Sequence, residues 1–132
     1  MDSLPDLSVI PIYLAVLGAL FVPFTMRVGM YRMKSNISLG TGDDRELERR
    51  MRAQANFVET VPLAIVLLIV MELLGAAPVW LHSLGGALVI GRIAHYLGLS
   101  GLGPAILRPI GMFLTLGTFI VSSIWMLLRM LG

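Results

Sequence analysis

The sequence predicts an all-α integral membrane protein built as a four-helix bundle. Three observations carry that prediction. Four long apolar segments take up most of the 132 residues. Hydrophobic residues make up 57% of the chain and charged residues 14%, against roughly 45–50% and 25% in soluble domains. Nine of the ten lysines and arginines gather in or beside two of the three connections, and the mean hydropathy is +0.87. No stretch remains for a separate soluble core. Residues 1-132 therefore read as one transmembrane domain, with spans at about 7-28, 44-74, 79-97 and 105-128.

The first span carries no charge between Val9 and Met26, close to the roughly 20 apolar residues a bilayer crossing needs. Pro11 is tolerated in a first turn, whereas Pro23 predicts a kink. Met26, Met30 and Met33 continue the helical stripe, interleaved with Arg27, Arg32 and Lys34, which suit interfacial anchoring. Asp2 and Asp6 replace the basic flank of a cleavable leader, so the first span is expected to be retained. Ser35 to Asp44 reads as a loop, and its Asn36-Ile37-Ser38 is discounted as a glycosylation acceptor because the loop is expected in the cytoplasm.

Asp43 as N-cap, with Glu46 three residues later, predicts a capping box opening the second helix. That helix projects Arg45, Arg49, Arg50 and Arg52 beyond the bilayer, and Pro62 predicts a bend near Glu59. Glu72, near its far end, reads as structural. Gly75-Ala76-Ala77-Pro78 is a tight turn, and Trp80 and His82 suit a membrane interface. Gly85, Gly86 and Gly91 let the third span approach its neighbours closely, and it ends in Arg92-Ile93-Ala94-His95-Tyr96. The fourth span follows a Gly-rich connection. It places Arg108 in its first turn, where a cation opposes the helix dipole and calls for an anionic partner.

Positive-inside bias puts both basic connections in the cytoplasm and both termini outside. Arg27, Arg52, Asn56, Glu59, Arg92, His95 and Arg108 then crowd the cytoplasmic half. Arg52, Asn56 and Glu59 fall at i, i+4 and i+7, on one helix face. Glu59 is expected to be sunk at the start of an apolar run, where a carboxylate needs a partner. Arg45, Arg49 and Arg50 read instead as topology signals or anionic-lipid contacts.

Such a set suits a small ligand with more than one carboxylate and an ammonium, beside walls that admit an apolar reactant from the bilayer. Cysteine is absent, which excludes disulfides, thiolate metal sites and a cysteine nucleophile. Two histidines thirteen residues apart do not make a metal site, and no Ser-His-Asp set or paired acids are present. Basic residues beside apolar spans speak for topology rather than nucleic acid. A non-catalytic protein holding an anionic lipid or metabolite is the alternative. A channel would need polar residues along a path, and here they gather at one end.

Leu47-Glu48-Arg49, then Arg52-Ala53-Gln54-Ala55-Asn56-Phe57-Val58-Glu59, then Pro62, resemble the signature of the MAPEG family. These are membrane-associated proteins in eicosanoid and glutathione metabolism, microsomal glutathione transferases among them. The span order, the basic first connection and the arginines flanking the second connection extend the resemblance over nearly the whole chain. It implies a homotrimer in a bacterial inner membrane, with glutathione bound as co-substrate between subunits near the cytoplasmic face. By position, Arg52, Asn56 and Glu59 would contact glutathione, Glu59 facing its ammonium. Gln54 and Arg27 or Arg32 would reach in from the adjacent subunit. Arg92, His95 and Tyr96 would complete the binding set, and Arg108 would stabilise the thiolate that attacks lipophilic electrophiles or reduces lipid hydroperoxides. Thr60, His95 and Leu99 stand where the leukotriene-synthase branch has tyrosines, so leukotriene synthesis is not expected.

Overall fold

A computed structural model describes residues 6–132, which form four helices: α1 (Ile10–Ser35), α2 (Arg45–Leu73), α3 (Pro78–Ser100) and α4 (Leu107–Leu131). Asp2 lies outside the described residues. α2 and α3 form the centre of the bundle. Each touches the other three helices, while α1 and α4 share no contact among the described residues.

Each helix begins and ends for a local reason. The first N–H groups of α1 are capped from across the bundle: the Glu72 carboxylate accepts from the backbone of Ser8, Val9 and Ile10 at 2.8, 2.7 and 2.9 Å. Helix starts leave such donors orphaned and carry positive potential, so an anion suits them twice over. Pro23 sits inside α1 without ending it, and the helix runs on to Ser35, a full turn and more past the predicted span. It stops at Asn36, whose φ of 56° is left-handed.

The second helix is capped one residue later than predicted. Asp44, not Asp43, accepts from Leu47 N at 3.0 Å. Asp43 has a left-handed φ of 62°, whereas an N-cap needs the extended backbone that Asp44 adopts at φ −81° and ψ 108°. Tyr31 at the end of α1 donates to the second Asp44 oxygen at 2.9 Å. These two hydrogen bonds, that from Leu47 N first, lower the Asp44 carboxyl below its usual pKa. Glu46, freed from the predicted capping box, pairs with Arg50 at 2.8 Å. α2 then passes through Pro62 unbroken.

The core is a seam of Leu17, Phe24, Ala53, Phe57, Val61, Leu68, Leu84 and Leu88. Near its charged end Phe24 stacks on Tyr96, with ring centroids 3.5 Å apart, and meets Phe57 edge-on at 5.2 Å. α1, α2 and α4 each hold an apolar stretch long enough to cross a membrane. α3 has 23 residues, about 35 Å at 1.5 Å per residue, enough for a hydrocarbon core of about 30 Å. Its polar residues Arg92 and His95 are buried within the bundle, while Ile12, Val16, Val66, Phe113 and Ile120 face outward.

Candidate functional site

At the end of the bundle where the two basic connections meet, α2, α3 and α4 enclose a cavity of about 500 Å³. That falls within the roughly 300–1,000 Å³ usual for small-molecule sites. Its wall is Glu48, Arg49, Arg52 and Asn56 from α2, His95 and Leu99 from α3, and Arg108, Pro109 and Met112 from α4. At about 100° per residue, Glu48, Arg49, Arg52, Asn56 and Glu59 occupy an arc of about 100° on α2. The buried stripe of Ala53, Phe57, Val61 and Leu68 lies opposite.

That arrangement alters one expectation. Glu59 is not sunk in the bundle; its side chain is 57% exposed on the outer face, 3.9 Å from the guanidinium of Arg52, which is 58% exposed. The apolar side of α2 already faces α1 and α3, so Arg52 and Glu59 turn away from the protomer's core, while Asn56, nearer the edge of the arc, reaches inward to Arg92. A carboxylate at this level, next to Pro62 and Leu63, still needs company, and among the described residues it has Arg52 alone.

Close helix crossing brings α4 to the site. A Cβ placed on Gly91 would lie 2.9 Å from Leu114 Cβ and 3.0 Å from Gly111 O, and one on Gly111 would collide with the Gly91 carbonyl and the His95 backbone. Only glycine at both positions allows this approach, as at Gly98, where a Cβ would collide with the Arg108 backbone. The crossing sets His95 Nδ1 2.9 Å from the Arg108 carbonyl. A carbonyl can only accept, so in the neutral ring the proton sits on Nδ1. Nε2 is then a lone-pair acceptor, buried and without a partner among the described residues. Arg108 is exposed, and among the described residues no carboxylate pairs with it. The anion predicted for it is thus not supplied by the described chain.

Arg92 does not line the cavity. It is buried behind it, 1% exposed, and bonds Thr115 Oγ1 through Nε at 2.8 Å, Thr60 Oγ1 at 3.0 Å and Asn56 Oδ1. Thr60 in turn donates to the Asn56 carbonyl at 2.8 Å, and Thr115 to that of Gly111 at 2.9 Å.

A model of the MAPEG family matches residues 10–128. The chain belongs to the MAPEG family. It is also 40% identical over 85 residues to the inner membrane protein YecN of two Escherichia coli strains, K12 and CFT073. The match takes in 64% of this chain and spans 65% of the length of those relatives. With three helices apolar enough to span a bilayer, this MAPEG chain is an integral membrane protein, of a family concerned with eicosanoid and glutathione metabolism.

Of the residues singled out in the sequence of this MAPEG member, Arg52, Asn56, His95 and Arg108 meet at the cavity, with Glu59 beside Arg52. The others lie elsewhere. Tyr96 is 2% exposed in the aromatic cluster and accepts from Arg27 at 3.2 Å. Arg32 ties down the first loop through the carbonyls of Ile37 and Gly40 at 3.2 and 2.9 Å. Gln54 lies about 200° around α2 from Arg52. Arg49 joins the wall although it reads as a topology signal, and Glu48, to which the sequence assigns no site role, joins it too. The signal was available: Arg49, Arg52 and Asn56 repeat at i, i+3 and i+7. Thr115 had none, because its role depends on a contact 23 residues away.

Proposed function

We propose that this chain is a membrane glutathione transferase or peroxidase, joining the glutathione thiolate to lipophilic electrophiles or reducing lipid hydroperoxides. The single observation that carries the reading is the cavity in which Arg49, Arg52, Asn56 and Arg108 converge from two helices beside the apolar Leu99 and Met112. Glutathione has two carboxylates, one ammonium and a thiol. Guanidinium groups take carboxylates and Glu59 takes the ammonium.

A thiol has a pKa of about 8.5, and an adjacent cation lowers it. In this reading Arg108, which has no carboxylate partner among the described residues, does this. The thiolate sulfur then bonds to the electrophilic carbon, and the leaving group departs with its electron pair. In the homotrimer we propose, the outward stripe of α2 faces a neighbouring subunit, whose Gln54 and Arg27 or Arg32 close the site. The site lies on the cytoplasmic side, with both termini outside. A protein that only holds an anionic lipid or metabolite would use the same guanidiniums, and the absence of tyrosine at Thr60, His95 and Leu99 is the feature that favours that second reading.

Calorimetric titration of glutathione into detergent-solubilised protein, with a conjugation assay on a dinitrohalobenzene, separates the two. Heat of binding with turnover that Arg108→Ala abolishes supports the transferase. Binding of an anionic lipid without turnover on several thiols and hydroperoxides supports the holder and sinks the enzyme.

A further inference from the structure

Arg92 is the largest fully buried side chain among the described residues, and none of the described carboxylates pairs with it. Neutral acceptors hold it: the hydroxyls of Thr115 and Thr60, the side-chain oxygen of Asn56 and, at 3.5 Å, the Gly111 carbonyl. Unpaired cations at membrane depth are rare and tend to serve function. This one neither lines the cavity nor has a route to a ligand except through Asn56, which does.

A guanidinium carries donors only. The Asn56 amide must therefore turn its oxygen inward to Arg92. Its NH2 group then faces the other way. That nitrogen makes no hydrogen bond among the described residues and is not one of their buried, unpartnered atoms, so it is open to the cavity.

We propose that Arg92 is a positioning residue that turns Asn56 into a pure hydrogen-bond donor, so that the ligand must present a carbonyl or carboxylate oxygen there and an ammonium is refused. This deepens the proposed glutathione reading and rests on the same cavity. It also divides the labour: the ligand's ammonium is left to Glu59, and its amide or carboxylate oxygens go to Asn56. Thr60 belongs to the device, because its hydroxyl spends its proton on the Asn56 backbone and keeps its lone pairs for Arg92.

The test is Asn56→Asp, with Asn56→Ala beside it. An aspartate oxygen facing Arg92 completes a buried ion pair, while the other oxygen replaces the donor. The expected result is a thermal midpoint raised by about 2–5 °C together with glutathione binding weakened at least tenfold. Asn56→Ala lowers both. A purely structural role would move stability and affinity in the same direction for both variants. Wild-type affinity in Asn56→Asp, or a lowered midpoint, overturns the proposal. If the unmodified protein binds no glutathione, the glutathione reading falls, and the midpoints of the two variants alone decide the amide's orientation. A lower midpoint for Asn56→Asp sinks the inference in that case too. Arg92→Met serves as a second check: where it folds, it frees the amide to flip and must weaken binding although Arg92 touches no ligand.

Discussion

The two ends of the bundle differ in how many polar groups they leave without a partner. At the far end Glu72 gives both oxygens to the start of α1, and Tyr13 donates or accepts with His82 Nδ1 at 2.7 Å across α1 and α3. Trp80 of α3 and Val121, Ile124, Trp125 and Leu128 of α4 form an apolar groove there. At the basic end, Arg108 and the Asn56 amide nitrogen have no partner among the described residues, and Glu59 and Arg52 meet only at 3.9 Å. One end spends its polar groups on the fold; the other spends some, yet leaves Arg108, the Arg52–Glu59 stripe and the Asn56 amide nitrogen to spare. Free polar groups are costly beside hydrocarbon, so holding them is a mark of a site.

The comparison makes its sharpest forecast at Arg108. Its side chain is exposed and pairs with no described carboxylate, so Arg108→Ala should leave the thermal midpoint within about 1 °C while conjugation falls about 10²-fold or more, the scale of losing one well-placed charge donor. A drop in stability with activity retained would reverse the assignment of the two ends.

Gly111→Val joins the two regimes. The new Cβ would meet the Gly91 carbonyl and the His95 backbone, and overpacking against backbone costs about 3 kcal/mol. Because the same crossing holds His95 against Arg108, we expect both a lower unfolding midpoint and a loss of binding. Normal binding in the destabilised variant would show that the crossing serves the fold alone.

Much of this was legible in the sequence. The four helices follow from apolar runs and their breaks, and the i, i+4, i+7 spacing puts Arg52, Asn56 and Glu59 on one face. What stayed hidden depends on contacts between distant segments. Nothing near Glu72 announces that its partners are Ser8, Val9 and Ile10, more than sixty residues away. Thr60 and Thr115 read as ordinary spacers until Arg92 lies between them. The outward position of Glu59 is not legible, because hydropathy along the chain does not say which side of α2 faces the core; only the stripe of Ala53, Phe57 and Val61 does. The N-cap slipped by one because two adjacent aspartates differ in backbone angle, not in chemistry.

At the far end the effect should be smaller and confined to stability. Glu72→Ala leaves three N–H groups of the α1 start without their acceptor, a loss of about 2 kcal/mol for charge-assisted bonds of this kind. Glutathione affinity per folded molecule should be unchanged. Reduced affinity at equal folding would mean that the two ends are coupled and that their separation is false.

The smallest effect is expected at Asp44, which belongs to the basic end by position but to the fold by its bonds. Leu47 N and Tyr31 OH hold its carboxyl below the ordinary value, so the ionised form is favoured in the folded state. The stability it contributes is complete above the unfolded carboxylate pKa of about 3.9 and is lost as the pH falls through the lower folded value. Unfolding midpoints measured from about pH 6 down to pH 3 should decline less for Asp44→Asn than for the unmodified chain. Asparagine can still cap α2, so the two proteins should converge in acid and differ only slightly near neutrality. Identical slopes would mean that Asp44 caps the helix without its charge, and that even beside the site a polar group can serve the fold through hydrogen bonding alone.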